Sequence, residues 1–206
     1  MSSSEGQFRF DLSGGHLALD FANTVSDRPT ENRKERLPDF ASFLAFGEQT
    51  GVLPASAAKG LSTKAGKGSV EAQRAWQNAI RLREALFAIF SAVAERRPIN
   101  LGAMELLNAT LLKSAPHGHI VSSGGRFRWE WIGQESDCEA VLWSVARGAA
   151  ELLTSEELSR LRICASEKCA WLFLDTTKNH RRRWCDMKTC GNRVKAQRHY
   201  QRVRAS

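Results

Sequence analysis

The sequence predicts an α+β fold, in which a mainly helical N-terminal domain with a small β-hairpin precedes a C-terminal treble-clef-like zinc finger. Apolar residues recur at helical spacing through most of the first 155 residues, with one stretch of strict alternation near residue 127. Four of the five cysteines form two pairs with the same four-residue gap near the C-terminus. We therefore expect two parts, residues 1–155 and residues 156–206.

An apolar run near the N-terminus carries three polar side chains. It follows the turn Gly14–Gly15, begins at His16, and contains Asp20 and Asn23. A buried acid and a buried amide need hydrogen-bond partners, so such residues usually tether a loop. They can instead reach a ligand, and His16, Asp20 and Asn23 are therefore our candidate ligand-binding residues.

The helices of the first part have clear start and stop signals. Asp39 is a predicted N-cap, and Gly51 is the predicted end of that helix. A short helical turn is expected after Pro54. The longest predicted helix runs from about residue 70 to residue 96, and Asn100 caps the next one.

A β-hairpin is predicted from two short runs separated by Ser122-Ser-Gly-Gly125. Its second strand places Phe127, Trp129 and Trp131 on one face. We expect these three side chains to belong to the core rather than to a base-stacking surface, because Arg128 and Glu130 mix charges on the other face.

A further helix follows the hairpin and has Ser136 or Asp137 as its predicted cap. Cys138 would lie in its first turn. No second cysteine or histidine stands at ligand spacing from Cys138, so we interpret it as a lone thiol outside the metal site.

The two cysteine pairs are Cys164/Cys169 and Cys185/Cys190, and they predict one tetrahedral Zn²⁺ site. Two disulfides or four unrelated buried cysteines are the alternatives, but neither accounts for the repeated spacing. The last 43 residues have too few apolar side chains for a core of their own, so we expect the metal to staple them together. Four thiolates close the coordination shell, which favours a structural zinc over a catalytic one.

Basic charge is concentrated in the cysteine segment. Eleven basic and three acidic residues follow Ile163, whereas the first 163 residues have no net charge and the whole chain carries +8. Such asymmetry is typical of contact with nucleic acid or another anionic surface, although a charged face can also be merely solvated.

Local patterns within this segment predict its elements. Ala170–Leu174 is β-prone, His180–Trp184 is a candidate return strand, and residues 187–203 resemble a helix with Ala196, Tyr200 and Val203 on its apolar side. The candidate nucleic-acid contacts share a basic side chain near the second cysteine pair or on that helix: Arg181, Arg182, Arg183, Arg193, Lys195, Arg198 and Arg202.

Several motifs together resemble the CGNR zinc-finger family of bacterial proteins. They are Cys164-x4-Cys169, Trp171-Leu-Phe-Leu-Asp175, Arg181-Arg-Arg-Trp-Cys-x-Met187 and Cys190-Gly-Asn-Arg193. The run Gly14-Gly15-x-Leu-Ala-Leu-Asp-Phe-Ala-Asn-Thr24 resembles the opening of the ABATE domain, which precedes that finger in proteins described as stress-induced transcription regulators. The resemblance implies the same four zinc ligands that spacing selects.

Residues 191–193 have separate expected roles. Gly191 relieves crowding at the helix start, and Asn192 caps or orients the turn. Arg193 either contacts phosphate or acts as a brace onto the hairpin expected within the finger.

These patterns lead to one functional expectation and two alternatives. We expect a zinc-dependent DNA-binding regulator whose N-terminal domain provides small-molecule sensing, homodimerisation or both. The finger could instead bind RNA or a protein, and the N-terminal domain could bind or transform a small molecule. No catalytic triple is recognisable by spacing, so we expect no enzyme. The sequence has no signal segment and no apolar run near eighteen residues, which predicts a cytoplasmic protein without a membrane span.

Overall fold

The computed structural model describes residues 9–66 and 68–205, and it confirms a mainly helical α+β fold. The helices are α1 (Leu17–Ala22), α2 (Phe40–Gln49), α3 (Ala55–Ala65), α4 (Val70–Ala94), α5 (Leu101–Ser114), α6 (Ala140–Leu153) and α7 (Asn192–Ala205). Three antiparallel pairs of strands accompany them: β1 (Val25–Ser26) with β2 (Lys34–Glu35), β3 (Gly118–Ser123) with β4 (Arg126–Trp131), and β5 (Leu161–Ile163) with β6 (Leu172–Leu174). Within these ranges no helix is both long enough and apolar enough to cross a bilayer.

The short helix α1 lies at the centre of the core. All of its residues from Ala18 to Ala22 are buried, and it packs against α4, α6 and β6. The Phe21 ring contacts the rings of Phe43 and Phe46, with centroid separations of 6.4 and 5.3 Å. Because α1 is surrounded on all sides, its few polar atoms must find partners inside the protein.

The predicted helix signals are confirmed at both ends of α2 and at the starts of α4 and α5. Asp39 forms a capping box with Ser42, Gly51 has a φ of +73°, and the Asn100 side chain accepts the Ala103 N–H. The expected turn after Pro54 is longer than predicted, since α3 has eleven residues.

The hairpin is confirmed in register, but the prediction that its aromatic residues belong to the core is wrong for two of them. Ile120 pairs with Trp129, yet Phe127 is 77% exposed and Trp129 is 40% exposed. Trp131, at the base of the hairpin, packs against the body, where its ring lies 5.8 Å from that of Trp143. The half-exposed Trp129 ring is covered on one face by the Arg147 guanidinium of α6, at 4.0 Å, whereas Phe127 lies further out and is exposed.

The free thiol Cys138 is buried, but it precedes α6 instead of lying in its first turn. Glu139 is the N-cap position, and the Asp137 carboxylate accepts the Glu139 N–H at 2.7 Å. Burial raises the pKa of the Cys138 thiol, which makes it a poor nucleophile.

The C-terminal segment is joined to the main core through the β5–β6 pair. Leu161, Leu172 and Leu174 are members of the large apolar core, whereas Phe173 points to the opposite face and packs with the four paired cysteines. The predicted return strand at residues 180–184 does not form, and β6 pairs instead with β5, which precedes the first cysteine. The arrangement is therefore a zinc-finger-like module, but the treble-clef assignment is not confirmed.

Candidate metal centre

The four predicted ligands converge on one point. The sulfur atoms of Cys164, Cys169, Cys185 and Cys190 all lie within 4.8 Å of one another, and all four residues are buried and free of disulfides. The Cys169–Cys185 and Cys185–Cys190 sulfur separations are 3.6 and 3.7 Å. A tetrahedral Zn²⁺ with metal–sulfur bonds near 2.3 Å requires separations of about 3.8 Å. The cluster therefore fits one zinc ion with little movement.

The first cysteine pair lies in the turn between β5 and β6. The Cys164 N–H donates to the Trp171 carbonyl at 2.8 Å, and the Cys169 N–H donates to the Ser166 carbonyl at 2.9 Å. Ala170 then reverses the chain with a φ of +59°. A left-handed conformation is costly for a residue with a Cβ atom, so the backbone at Ala170 is strained. The turn that contains it directs both sulfur atoms toward the metal site.

The second pair is held by the π-helical turn Met187–Gly191 that leads into α7. Asp186 caps this turn, because its carboxylate accepts the Thr189 N–H at 2.7 Å. A Cβ atom on Gly191 would lie 2.4 Å from the Met187 sulfur, which confirms that glycine relieves crowding there. The Asn192 amide donates to the Lys188 carbonyl at 3.2 Å and orients the turn.

Hydrogen bonds within the cluster distribute its protons unequally. Bonds from the Cys169 and Cys185 thiols lower the pKa of Cys164 to about 2, although burial opposes this shift. The same bonds to Cys164 raise the pKa of Cys169 and Cys185. Bound Zn²⁺ would hold all four ligands as thiolates.

Asp175 organises the loop between the two pairs. Its side chain is fully buried, accepts the Thr177 N–H and hydroxyl, and accepts the Arg182 N–H at 2.8 Å. Burial disfavours the charged carboxylate, yet these hydrogen bonds outweigh burial and hold the pKa of Asp175 below its usual value. The closing residue of the WLFLD motif therefore fixes the loop that returns to Cys185.

The Arg182 side chain donates hydrogen bonds within the finger, whereas the exposed Arg183 guanidinium lies 5.6 Å from the centroid of the Trp184 ring. The Arg182 guanidinium donates to the carbonyl oxygens of Trp184 and Cys185 and lies 4.6 Å from the centroid of the Phe173 ring. Arg181 and Arg183 are exposed. Among the three predicted nucleic-acid contacts of this loop, Arg182 is thus engaged in holding the second cysteine pair.

The described side chains of α7 after its first turn are exposed. Lys195 and Arg202 are exposed, and the side chain of Arg198 lies outside the described part of the structure. The expected apolar side of α7 is not buried, since Tyr200 is 61% exposed and Val203 is 62% exposed. The Tyr200 ring contacts the guanidinium of Arg204 on the same helix, at 5.4 Å. The helix therefore presents its basic residues without being covered by the rest of the described chain.

Arg193 connects the start of α7 to the N-terminal domain. Its guanidinium lies 3.6 Å from the Asp27 carboxylate. Of its two expected roles, the structure shows the brace. The partner is the loop after β1 rather than a hairpin within the finger.

The N-terminal polar motif holds the finger in place. The Asn23 amide donates to the Leu172 carbonyl at 2.8 Å and accepts the Leu172 N–H at 2.9 Å, as a neighbouring β-strand would. The Trp171 indole N–H donates to the Val25 carbonyl at 2.8 Å. The tethering alternative is confirmed for Asn23, but the sequence alone does not identify the finger as its partner.

Asp20, within α1, and His16, the N-cap of α1, hold the N-terminal side of the contact between Asn23 and Leu172. The Asp20 carboxylate accepts the Gly14 N–H at 2.8 Å, and the Gly14 carbonyl accepts the Leu174 N–H at 3.0 Å. The His16 ring accepts the Ala18 N–H at the start of α1, and burial lowers its pKa. We call the contacts of Gly14, Asn23 and Val25 with β6 and Trp171 the latch.

Comparison with known families agrees with this architecture. A family model for the ABATE domain, described as "Putative stress-induced transcription regulator", matches residues 15–156. A second model, the CGNR zinc finger, matches residues 160–203 and so includes all four cysteines of the metal centre. No curated protein matches the chain.

Proposed function

We propose that this chain, which belongs to the ABATE family and carries a CGNR zinc finger, regulates transcription by binding duplex DNA through α7. The observation that carries the proposal is the exposed helix itself. Helix α7 contains five basic residues and no acidic residue, and it starts at the metal centre. At about 1.5 Å per residue it is roughly 21 Å long, which suits the major groove of B-DNA.

The metal has a structural role in this proposal. Four thiolates fill a tetrahedral shell, so no position is open for water or substrate, and the chain acts as a binding protein rather than an enzyme. Zinc would fix the turn Met187–Gly191 and thereby the direction in which α7 projects. Because the ligands must stay reduced, the proposal places the protein in the cytoplasm.

The phosphate contacts come from two places. Lys195 and Arg202 are separated by two helical turns, so they lie on one side of α7. Arg181 and Arg183 precede Cys185 and are exposed beside the same metal centre. About five phosphate contacts would give a slope near −4.5 when the logarithm of affinity is plotted against the logarithm of salt concentration.

The test compares two double variants of the zinc-loaded protein on random-sequence duplex DNA. Lys195→Ala/Arg202→Ala should flatten the salt slope by about two units if both residues touch phosphate. Lys59→Ala/Lys113→Ala removes the same charge from exposed positions on α3 and α5 and should leave the slope near that of the parent. Zinc content and circular dichroism verify that both variants are folded.

An equal slope for the parent and the α7 variant would contradict the proposal. If the variant then loses binding to RNA or to an acidic protein instead, that partner replaces duplex DNA. Selection of bound sequences from random duplexes would identify the target site where the proposal holds.

A further inference from the structure

A cavity lies at the junction between the N-terminal motif and the finger, beside the latch. Its volume is about 170 Å³. Its lining residues include Arg9, Asp20, Asn23, Thr24, Arg36 and Trp171. An engineered cavity of about 150 Å³ accommodates benzene, so this one has room for a ligand of roughly six to eight heavy atoms.

The innermost charged group of the cavity is Asp20. Its side chain is only 7% exposed, and one of its oxygens accepts the Gly14 N–H. In the described part of the chain, its second oxygen has no hydrogen-bond partner and no ion pair joins it to a basic side chain. Burial raises the pKa of Asp20 to about 7, and the nearby charge of Asp11 raises it further. A cation that enters the cavity would stabilise the ionised form of this buried carboxyl group.

The other polar groups of the inner wall already have partners. Asn23 uses its amide oxygen and nitrogen on Leu172, and the Thr24 hydroxyl donates to the Phe21 carbonyl at 2.8 Å. The buried charged acceptor on this wall is therefore the second oxygen of the ionised Asp20 carboxylate, whereas the Asp11 carboxylate, which also lines the cavity, is exposed. A ligand group that binds there must donate hydrogen bonds, and a positive charge improves the interaction.

The remaining walls fit the rest of a zwitterion. The Trp171 ring borders the same space, and an aromatic face attracts an ammonium group. Arg9 and Arg36 also line the cavity, and guanidinium groups bind carboxylates in a favourable geometry. Acidic and basic side chains thus meet in one small space.

We propose that this cavity binds a small α-amino acid, with its ammonium group on Asp20 beside Trp171 and its carboxylate directed to Arg9 and Arg36. The volume limits the ligand to the size of glycine, alanine or serine. Binding of an amino acid here does not require DNA binding, because it depends only on the cavity and its charges.

The position of the cavity gives ligand binding a consequence for the finger. Asp20 and Asn23 line the cavity and also belong to the chain of contacts that holds β6, while Trp171 belongs to the finger. An occupied cavity therefore bridges the two parts of the protein. Binding should slow amide hydrogen exchange at Leu172 and Leu174, both of which donate to the N-terminal motif.

The first experiment uses the zinc-loaded full chain and needs no variant. Calorimetric titration compares L-alanine with ethylamine, which lacks the carboxylate, and with propionate, which lacks the ammonium group. Glycine and L-serine test the size limit. L-alanine should bind best, ethylamine about tenfold more weakly, and propionate not measurably at about 10 mM.

The second experiment changes the cavity. Asp20→Asn keeps an oxygen for the Gly14 N–H but removes the negative charge, and it should weaken L-alanine binding by at least about tenfold. Asp137→Asn is the matched control, because Asp137 also accepts a backbone N–H but lies at the start of α6. This control should bind L-alanine as the parent does.

Three results would overturn the proposal. Binding of propionate as tight as that of L-alanine would make the cavity an anion site. Unchanged affinity in a folded Asp20→Asn variant would remove the ammonium contact. Absence of heat and of thermal stabilisation for every amino acid at about 10 mM would mean that the cavity holds only solvent.

Discussion

The latch predicts that Asn23→Ala will destabilise the protein far more than an ordinary surface change. The substitution removes both partners of the Leu172 peptide group at a position where the Asn23 side chain is 2% exposed. Each of the two buried backbone groups left without a hydrogen bond costs about 1–3 kcal/mol, so the free energy of unfolding should fall by roughly 2–6 kcal/mol. For a chain of this length that corresponds to a decrease of roughly 6–18 °C in Tm.

Guanidinium unfolding of the zinc-loaded protein measures this loss, and hydrogen exchange at the Leu172 amide locates it. Asn192→Ala is the matched control. It removes one hydrogen bond of 3.2 Å at an exposed residue and should cost no more than about 0.5 kcal/mol. A loss below about 1 kcal/mol for Asn23→Ala, with unchanged exchange at Leu172, would refute the assignment of Asn23 as the main tether.

Three further predictions concern the metal, the buried acid and the strained turn. Cys185→Ser should reduce the zinc content from one ion per chain to well below one, whereas Cys138→Ser should keep the zinc, and atomic emission measures both. Zinc retained by the Cys185→Ser variant would exclude Cys185 as a ligand. The pKa of Asp20 is raised to about 7 in the folded protein, so the free energy of unfolding of the parent should fall as pH rises from about 4 to 7. Asp20→Asn should flatten that dependence in urea titrations, and equal pH profiles for the two proteins would show that the pKa of Asp20 is not raised. Ala170→Gly should stabilise the zinc-loaded protein by about 0.5–1 kcal/mol by relieving the positive φ, and a destabilising effect in the same urea assay would argue against strain there.

The metal ligands could be predicted from sequence because the evidence for them is local and chemically narrow. Two cysteine pairs with equal gaps have few uses in a reducing compartment. Helix ends at Asp39, Gly51 and Asn100 were likewise predictable, since capping depends on residues only a few positions apart. In each case the interacting groups are neighbours in the chain.

The latch could not be predicted, because its partners are far apart in sequence. Asn23 and Leu172 are separated by 149 positions, and nothing in one sequence relates an amide in the first helix to a strand of the finger. The same holds for one of the two ion pairs of Arg83, which is fully buried within α4. Its neighbour Glu84 lies 2.9 Å away, but its second partner, Glu35 at 2.5 Å, is 48 positions away in sequence and reaches it only through the approach of β2.

The hairpin shows a different limit of pattern analysis. Alternation correctly predicts that Phe127, Trp129 and Trp131 share a face, since cross-strand register and pleat are local properties. Whether another element covers that face depends on how far the hairpin projects. Burial decreases outward from Trp131 to Phe127 because the helices end near the base of the hairpin.

Strand β6 makes the metal centre and the helical core interdependent. Its three residues alternate, so Leu172 and Leu174 face the main core while Phe173 faces the cysteines. A zinc ion held by the four cysteines would fix the turn before Phe173 and thereby support the strand whose two leucines contact the main core. The latch in turn holds the strand that supports Cys169. Free energy from metal binding, on the order of 10 kcal/mol in isolated zinc-finger peptides, therefore stabilises the docked arrangement and not the finger alone. If α7 binds DNA as proposed, a change at either the latch or the metal centre should alter the direction of α7, and a ligand bound in the proposed cavity would act on DNA binding through this junction.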